Sequence, residues 1–276
     1  GYTPATMEEA SKPFLYDISE HNWIWGYDMT PENAKRELYA TSSSWIRSFS
    51  AEAYAPATGT YSRINNILYD KISATDVRKG WWNYENLDKN GQVTVRYQQD
   101  KFRFADPSNT YTGADHIFMR VPEMYLSMAE ATCRLGNDKE AQTILNEFMS
   151  YRVSGEFPYD CSSKKGTDLG ALTTDETGSL LEEIILQRRI ELWGEFGRIY
   201  DIKRLRQGFV RTAEMGHPSD AFRPTLKLDD PESFDWVLTI PQAELDANPY
   251  IVQNPVGSVE ADGQGDDPAL APKVEE

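Results

Sequence analysis

The stretch from residue 121 to residue 149 constrains the fold of this chain more than any other. Val121, Met124, Tyr125, Met128, Thr132 and Leu135 form one stripe at helical spacing, and Gly136 then ends the helix. Asn137 with Glu140 has the spacing of a capping box for a second helix. Ala141, Ile144, Leu145, Phe148 and Met149 recur at i, i+3, i+4, i+7 and i+8, one apolar face of that helix. Helices joined by so short a turn pack antiparallel. One such hairpin resembles a tetratricopeptide unit, which cannot bury its own apolar face and needs neighbours. The expected fold class is therefore mainly α, with tetratricopeptide-like helical hairpins, a long irregular loop-rich region and a small β-hairpin.

The rest of the chain reads around that hairpin. Residues 1–20 carry Met7, Ala10, Phe14 and Ile18 at helical spacing, as at the end of a helix. Residues 22–29 read as a short strand, and Thr30 caps a helix with Pro31 at its first position. Residues 40–66 are polar, aromatic-studded and without period, as in an ordered functional loop. A helix and a turn follow over 67–79. Lys89-Asn90-Gly91 marks a turn before the alternating strand VTVRY. Ser179 with Glu182 caps a helix running to about Phe196, followed by a further helical turn over Arg198–Arg206. Residues 208–239, with three prolines, read as loop. The acidic, Gly/Pro-rich residues 257–276 read as a disordered tail beyond a domain at 1–256.

Bulk chemistry excludes some partners. The formal net charge of −16 argues against direct binding to nucleic acid or to an anionic membrane, since both need basic patches. The two cysteines, Cys133 and Cys161, leave a bridge open, and Cys133 falls in a helical pattern as a small apolar residue. No cysteine/histidine spacing suits a metal, and no cofactor motif is present. LDD at 228–230 leaves a calcium ligand possible.

Two groups of residues carry chemistry. The segment QRRIELWGEFGRIYDIKR places charge in an apolar helix: Arg188 lies three residues from Glu191, and Glu195 three from Arg198. Arg188, Arg189, Glu191, Glu195 and Arg198 are expected to form an ion-pair network that fixes helix register. A catalytic alternative uses Glu191 with Glu195 or Asp201 as the carboxyl pair of a glycan-cleaving enzyme, but neighbouring arginines would keep such acids ionised. The second group is aromatic. Sugar rings stack on Trp and Tyr while their hydroxyls need polar neighbours. Trp45 with Arg47, Tyr61 with Arg63 and Asn65, and the run Trp81, Trp82, Asn83, Tyr84 offer that mixture. In an extended chain neighbours point to opposite sides, so one of Trp81 and Trp82 is expected at the surface.

Four blocks, in order, carry a family resemblance: SATDVRKGWW (73–82), RVPEMYLSMAEATCRLGN (120–137), LLEEIILQRRIELWGEFGRIYDIKRLR (180–206) and IPQAELDANPYIVQNP (240–255). Together they resemble the C-terminal half of the SusD/RagB family, surface nutrient-binding lipoproteins of Bacteroidetes-type bacteria. The resemblance implies a non-catalytic protein on the outer surface of the outer membrane. It implies binding of oligosaccharides or other nutrient oligomers for delivery to a TonB-dependent, SusC-like transporter. On this reading the chain lacks the N-terminal helical half, with the lipidated cysteine through which family members attach to the membrane. Ligand-facing aromatics of the family come from variable loops, part of which correspond to residues 27–84 here. A helical-repeat interaction module without a small ligand is the alternative.

Overall fold

The computed structural model describes residues 1–12, 18–28, 30, 32–33, 62–102, 115–195, 197–212, 215, 225–231, 233 and 236–254. Residues 40–61 of the expected 40–66 loop, most of the helix expected after Thr30 and the tail at 257–276 lie outside these residues, as does Phe14. Helices α1 (Met7–Ala10), α2 (Asn66–Asp70), α3 (Val121–Arg134), α4 (Asp138–Met149), α5 (Leu180–Glu191), α6 (Arg198–Arg204) and α7 (Gln242–Ala247) accompany a 3-10 helix at Val77–Trp81. Strands β1 (Trp23–Tyr27) and β4 (His116–Arg120) pair antiparallel, as do β2 (Trp82–Leu87) with β3 (Val93–Gln99), and β5 (Phe209–Thr212) with β6 (Thr225–Leu228). Among the described residues no helix is long and apolar enough to cross a membrane.

The α3–α4 hairpin forms on its three-residue turn, with Gly136 at φ +81°, a left-handed conformation that an L side chain resists. Its capping differs from expectation. Asn137 makes no side-chain cap bond, and the adjacent Asp138 carboxylate instead accepts from the Gly166 backbone. The buried face of α3 is also different. Leu126, Ala129 and Cys133 are inside, whereas Met128 and Leu135 are 53% and 80% exposed. Both stripes have helical period. The one carrying Ala129 and Cys133 faces inward because small side chains let neighbouring helices approach closely.

Two cores meet along α5. Leu181, Ile184 and Ile185 pack with the inner faces of α3 and α4, while Ile190 joins Ile64, Leu68, Ile72, Trp81 and Trp82. Ser179 caps α5 by accepting from the Glu182 amide at 3.0 Å. The helix stops at Glu191, short of the expected Phe196, and Gly194 turns the chain at φ +77°. Residues 208–239 are not all loop, because they contain the β5–β6 pair. The helical start of the chain is one turn, α1, closed by a capping box between Thr6 and Glu9. Cys133 and Cys161 are both free and buried, the Cys133 thiol facing the Gly166 carbonyl at 3.5 Å.

Candidate functional site

A buried charge cluster forms at the C-terminal end of α5. Glu191 Oε1 accepts from Arg120 Nη1 and Arg152 Nη2, both at 3.0 Å, and its Oε2 accepts from Arg152 Nε at 2.9 Å. Arg78 adds a longer contact at 3.4 Å and is itself held by Asp76, the cap of the 3-10 helix, at 2.7 Å. Glu195 accepts from Arg120 Nη2 and Lys101 Nζ, both at 2.6 Å. Lys101 also donates to the carbonyls of Glu191 (2.7 Å) and Trp193 (3.0 Å), so cations cap the negative end of the helix.

Each cation arrives by a short local route. Arg120 ends β4 and directly precedes α3, Arg152 follows α4, and Lys101 follows β3. Burial pushes the Glu191 carboxyl up, yet the charges of Arg152, Arg120 and Arg78 outweigh it and hold it well below the usual carboxylate range. For Glu195 burial is likewise outweighed by Arg120 and Lys101, and its pKa is lowered. Burial pulls Lys101 down to about 8, against the opposing pull of Glu195. Carboxylates kept ionised in this way do not act as general acids at neutral pH.

The expected pairs Arg188–Glu191 and Glu195–Arg198 do not form. Arg188 instead binds Asp201 at 2.9 Å and Glu123 at 2.7 Å, tying α5 to α6 and α3. Glu195 lies in the turn after α5 and Arg198 opens α6, so the i, i+3 geometry of a continuous helix is absent. Arg189 donates to the Thr173 carbonyl at 2.8 Å and points away from the cluster.

The aromatic candidates divide. Trp45, Arg47 and Tyr61 lie outside the described residues. Trp81 and Trp82 are both buried, at 7% and 3% exposure, which overturns the expectation that one is exposed. Trp81 closes the 3-10 helix and Trp82 opens β2, so the backbone bends between them and both rings reach the same core. Trp81 Nε1 donates to the Ala10 carbonyl at 2.6 Å. Asn83 is half-buried on β2 opposite Gln98, while Tyr84 is exposed with the Arg96 guanidinium 5.4 Å from its ring centre. An exposed pair was not foreseen: Trp25 of β1 and Phe118 of β4, 5.0 Å between ring centres. Simple alternation places Trp23 and Trp25 on one face, but a bulge between them sends Trp23 into the core and Trp25 out.

A cavity of about 450 Å³ lies where the end of α5, the 194–197 turn, α6 and β5 meet residues 63–68 and 173–174. Its size suits a small-molecule site. Trp193 and Phe209 supply ring surface, Asn65 and Thr173 polar groups, and Arg63, Arg189, Arg198 and Arg211 positive charge. A larger groove, about 1040 Å³, runs by the α3–α4 turn but is wide open and lined mostly by polar side chains. For metals, the described residues bring together one candidate group, Glu9, Glu20 and His21, where His21 already hydrogen-bonds Glu9 and Thr3.

The SusD family model matches residues 23–256. Among solved structures, a SusD-like carbohydrate binding protein from Bacteroides vulgatus is similar at 25% identity and a TM-score of 0.60, covering 90% of this chain and 51% of that one. A SusD superfamily protein from Bacteroides thetaiotaomicron is 22% identical with a TM-score of 0.61, covering 92% and 52%. A putative sugar binding protein from Bacteroides vulgatus is 20% identical with a TM-score of 0.54, covering 92% and 51%. The chain thus spans about half the length of these structures. No curated protein matches it.

Proposed function

Starting from the premise that this chain belongs to the SusD family, we propose that it binds carbohydrate without cleaving it. The observation that carries the reading is the cavity beside Trp193 and Phe209, where apolar ring surface and hydrogen-bonding side chains converge. That mixture suits a sugar, which has an apolar face and a rim of hydroxyls. The likeness to a SusD-like carbohydrate binding protein supports it. So does the state of Glu191 and Glu195, whose ion pairs remove the acid a glycosidase needs.

The finer reading follows the family. The protein sits at the outer surface of the outer membrane as part of a lipoprotein and passes oligosaccharide to a TonB-dependent, SusC-like transporter. The α3–α4 hairpin, packed on α5, acts as a tetratricopeptide-like support. Trp45, Arg47, Tyr61, Asn83 and Tyr84 remain proposed ligand contacts, with Tyr84 already exposed. Buried Trp81 and Trp82 serve by anchoring the segment that carries Asn83 and Tyr84.

A glycan and peptide array tests the reading, with tryptophan fluorescence as the second readout. Saturable binding of one polysaccharide class, accompanied by a tryptophan signal and no release of reducing ends, is expected. A folded protein that binds no glycan would refute it and favour an interaction module.

A further inference from the structure

Arg63, Arg189, Arg198 and Arg211 bring four guanidiniums to the lining of one cavity. Burial and the charge of Arg211 pull Arg189 down to about 10, with Glu182 pulling weakly the other way. Burial and Arg189 pull Arg198 down to about 9, against the opposing pull of Asp201, and Arg211 is lowered by burial and by Arg63. The four guanidiniums therefore sense one another around a single space. Asp201 is the one acidic residue among the described lining residues, and its carboxylate is committed to Arg188 and Arg204. Two arginine nitrogens, Nη1 of Arg198 and Nε of Arg211, are buried and meet no hydrogen-bond partner.

Leaving buried polar groups unmade is costly, and more so when they are charged. A chain of net charge −16 that nevertheless gathers arginines around one cavity presents a local positive field there. Arginine forks match carboxylate and sulfate oxygens in paired hydrogen bonds. The apolar flank of Trp193 and Phe209 gives the remainder of such a ligand a ring face to lie on.

We propose that this cavity binds the anionic group, carboxylate or sulfate, of an acidic sugar, with Arg198 and Arg211 as its direct partners. The proposal rests on the carbohydrate-binding reading and narrows it to charged glycans.

Titration calorimetry of the whole chain at fixed ionic strength tests it with four probes: oligogalacturonate, its neutral methyl ester, a sulfated oligosaccharide and inorganic sulfate. At least one acidic oligosaccharide is expected to bind about tenfold or more tightly than the neutral ester, the difference a charged hydrogen bond provides. Whichever acidic oligosaccharide binds identifies carboxylate or sulfate as the group. Arg198→Gln and Arg211→Gln should each lower its affinity about tenfold or more. In the unliganded protein the same substitutions should leave the melting temperature unchanged or raised, because each removes a buried cation from the company of others.

Equal binding of the acid and its ester would overturn the proposal and leave carbohydrate binding intact. So would binding of a neutral array glycan with none of the acidic ones. Inorganic sulfate binding as tightly as both oligosaccharides would make this a free-anion site and overturn the sugar assignment. No saccharide binding of any kind would overturn both readings. A fall in melting temperature in both variants would mark the arginines as structural, and the wild-type comparison of acid with ester would still decide the ligand.

Discussion

Glu191 shows what a single residue does in this fold. It is fully buried and satisfied by Arg120 and Arg152, with Arg78 behind them. Removing its charge takes from Arg152 its carboxylate partner, while Arg78 and Arg120 keep Asp76 and Glu195, and breaking a buried pair typically costs about 3–5 kcal/mol. The pH dependence has a definite sign. Because the folded carboxyl lies well below 4.5, its contribution is present above that value and is lost as pH falls through the folded pKa. Urea unfolding of wild type and Glu191→Gln across pH checks both points. The variant should start lower by about that amount at neutral pH, with a flatter decline below pH 4.5. Equal stabilities would mean the cluster contributes nothing. At this scale the sequence was partly legible. The charged helix was visible, but its partners Arg78, Lys101, Arg120 and Arg152 lie far away in the chain, and no local spacing reveals them. Arg63, Arg189 and Arg198 stood out in the sequence one by one, but not their convergence with Arg211 on one cavity, since they reach it from separate segments.

Among the elements, α5 joins the two cores, and the α3–α4 hairpin buttresses one of them. Local signals missed the buried face of α3 and the absence of an Asn137 cap bond, but they did report that these helices exist. Ser179 is the clearest case: it accepts from the Glu182 amide as its spacing predicts, while donating to the Asp168 carbonyl. Ser179→Ala should cost about 1 kcal/mol, as N-cap loss usually does. A thermal melt with no shift would show that the cap is dispensable. Misread elements share a physical cause. The inner face of α3 was set by how closely α4 and α5 approach, not by which residues are most apolar. The bend between Trp81 and Trp82 and the bulge beside Trp25 reversed side-chain directions that strict alternation implies. Strands β5 and β6 are four residues each with residues 213–224 between them, too short for alternation alone to mark them as a pair.

For the molecule as a whole, the acidic balance of the chain contrasts with its arginine-lined cavity. The net charge of −16 turns away polyanions at large, while the cavity offers a local field and ring surface to a ligand small enough to enter. The ion-pair cluster at the end of α5 holds Trp193, through its carbonyl, against Lys101, and so fixes one wall of that cavity. Family membership was readable from four ordered motifs, yet the cavity was not, because it is assembled from segments that only the tertiary fold brings together. A crystal structure of the protein with its best-binding glycan tests the central claim most directly. The account predicts a sugar ring against Trp193 or Phe209, with its polar or anionic group within hydrogen-bond distance of Arg198 or Arg211. A glycan bound elsewhere, with this cavity holding only solvent, would contradict it.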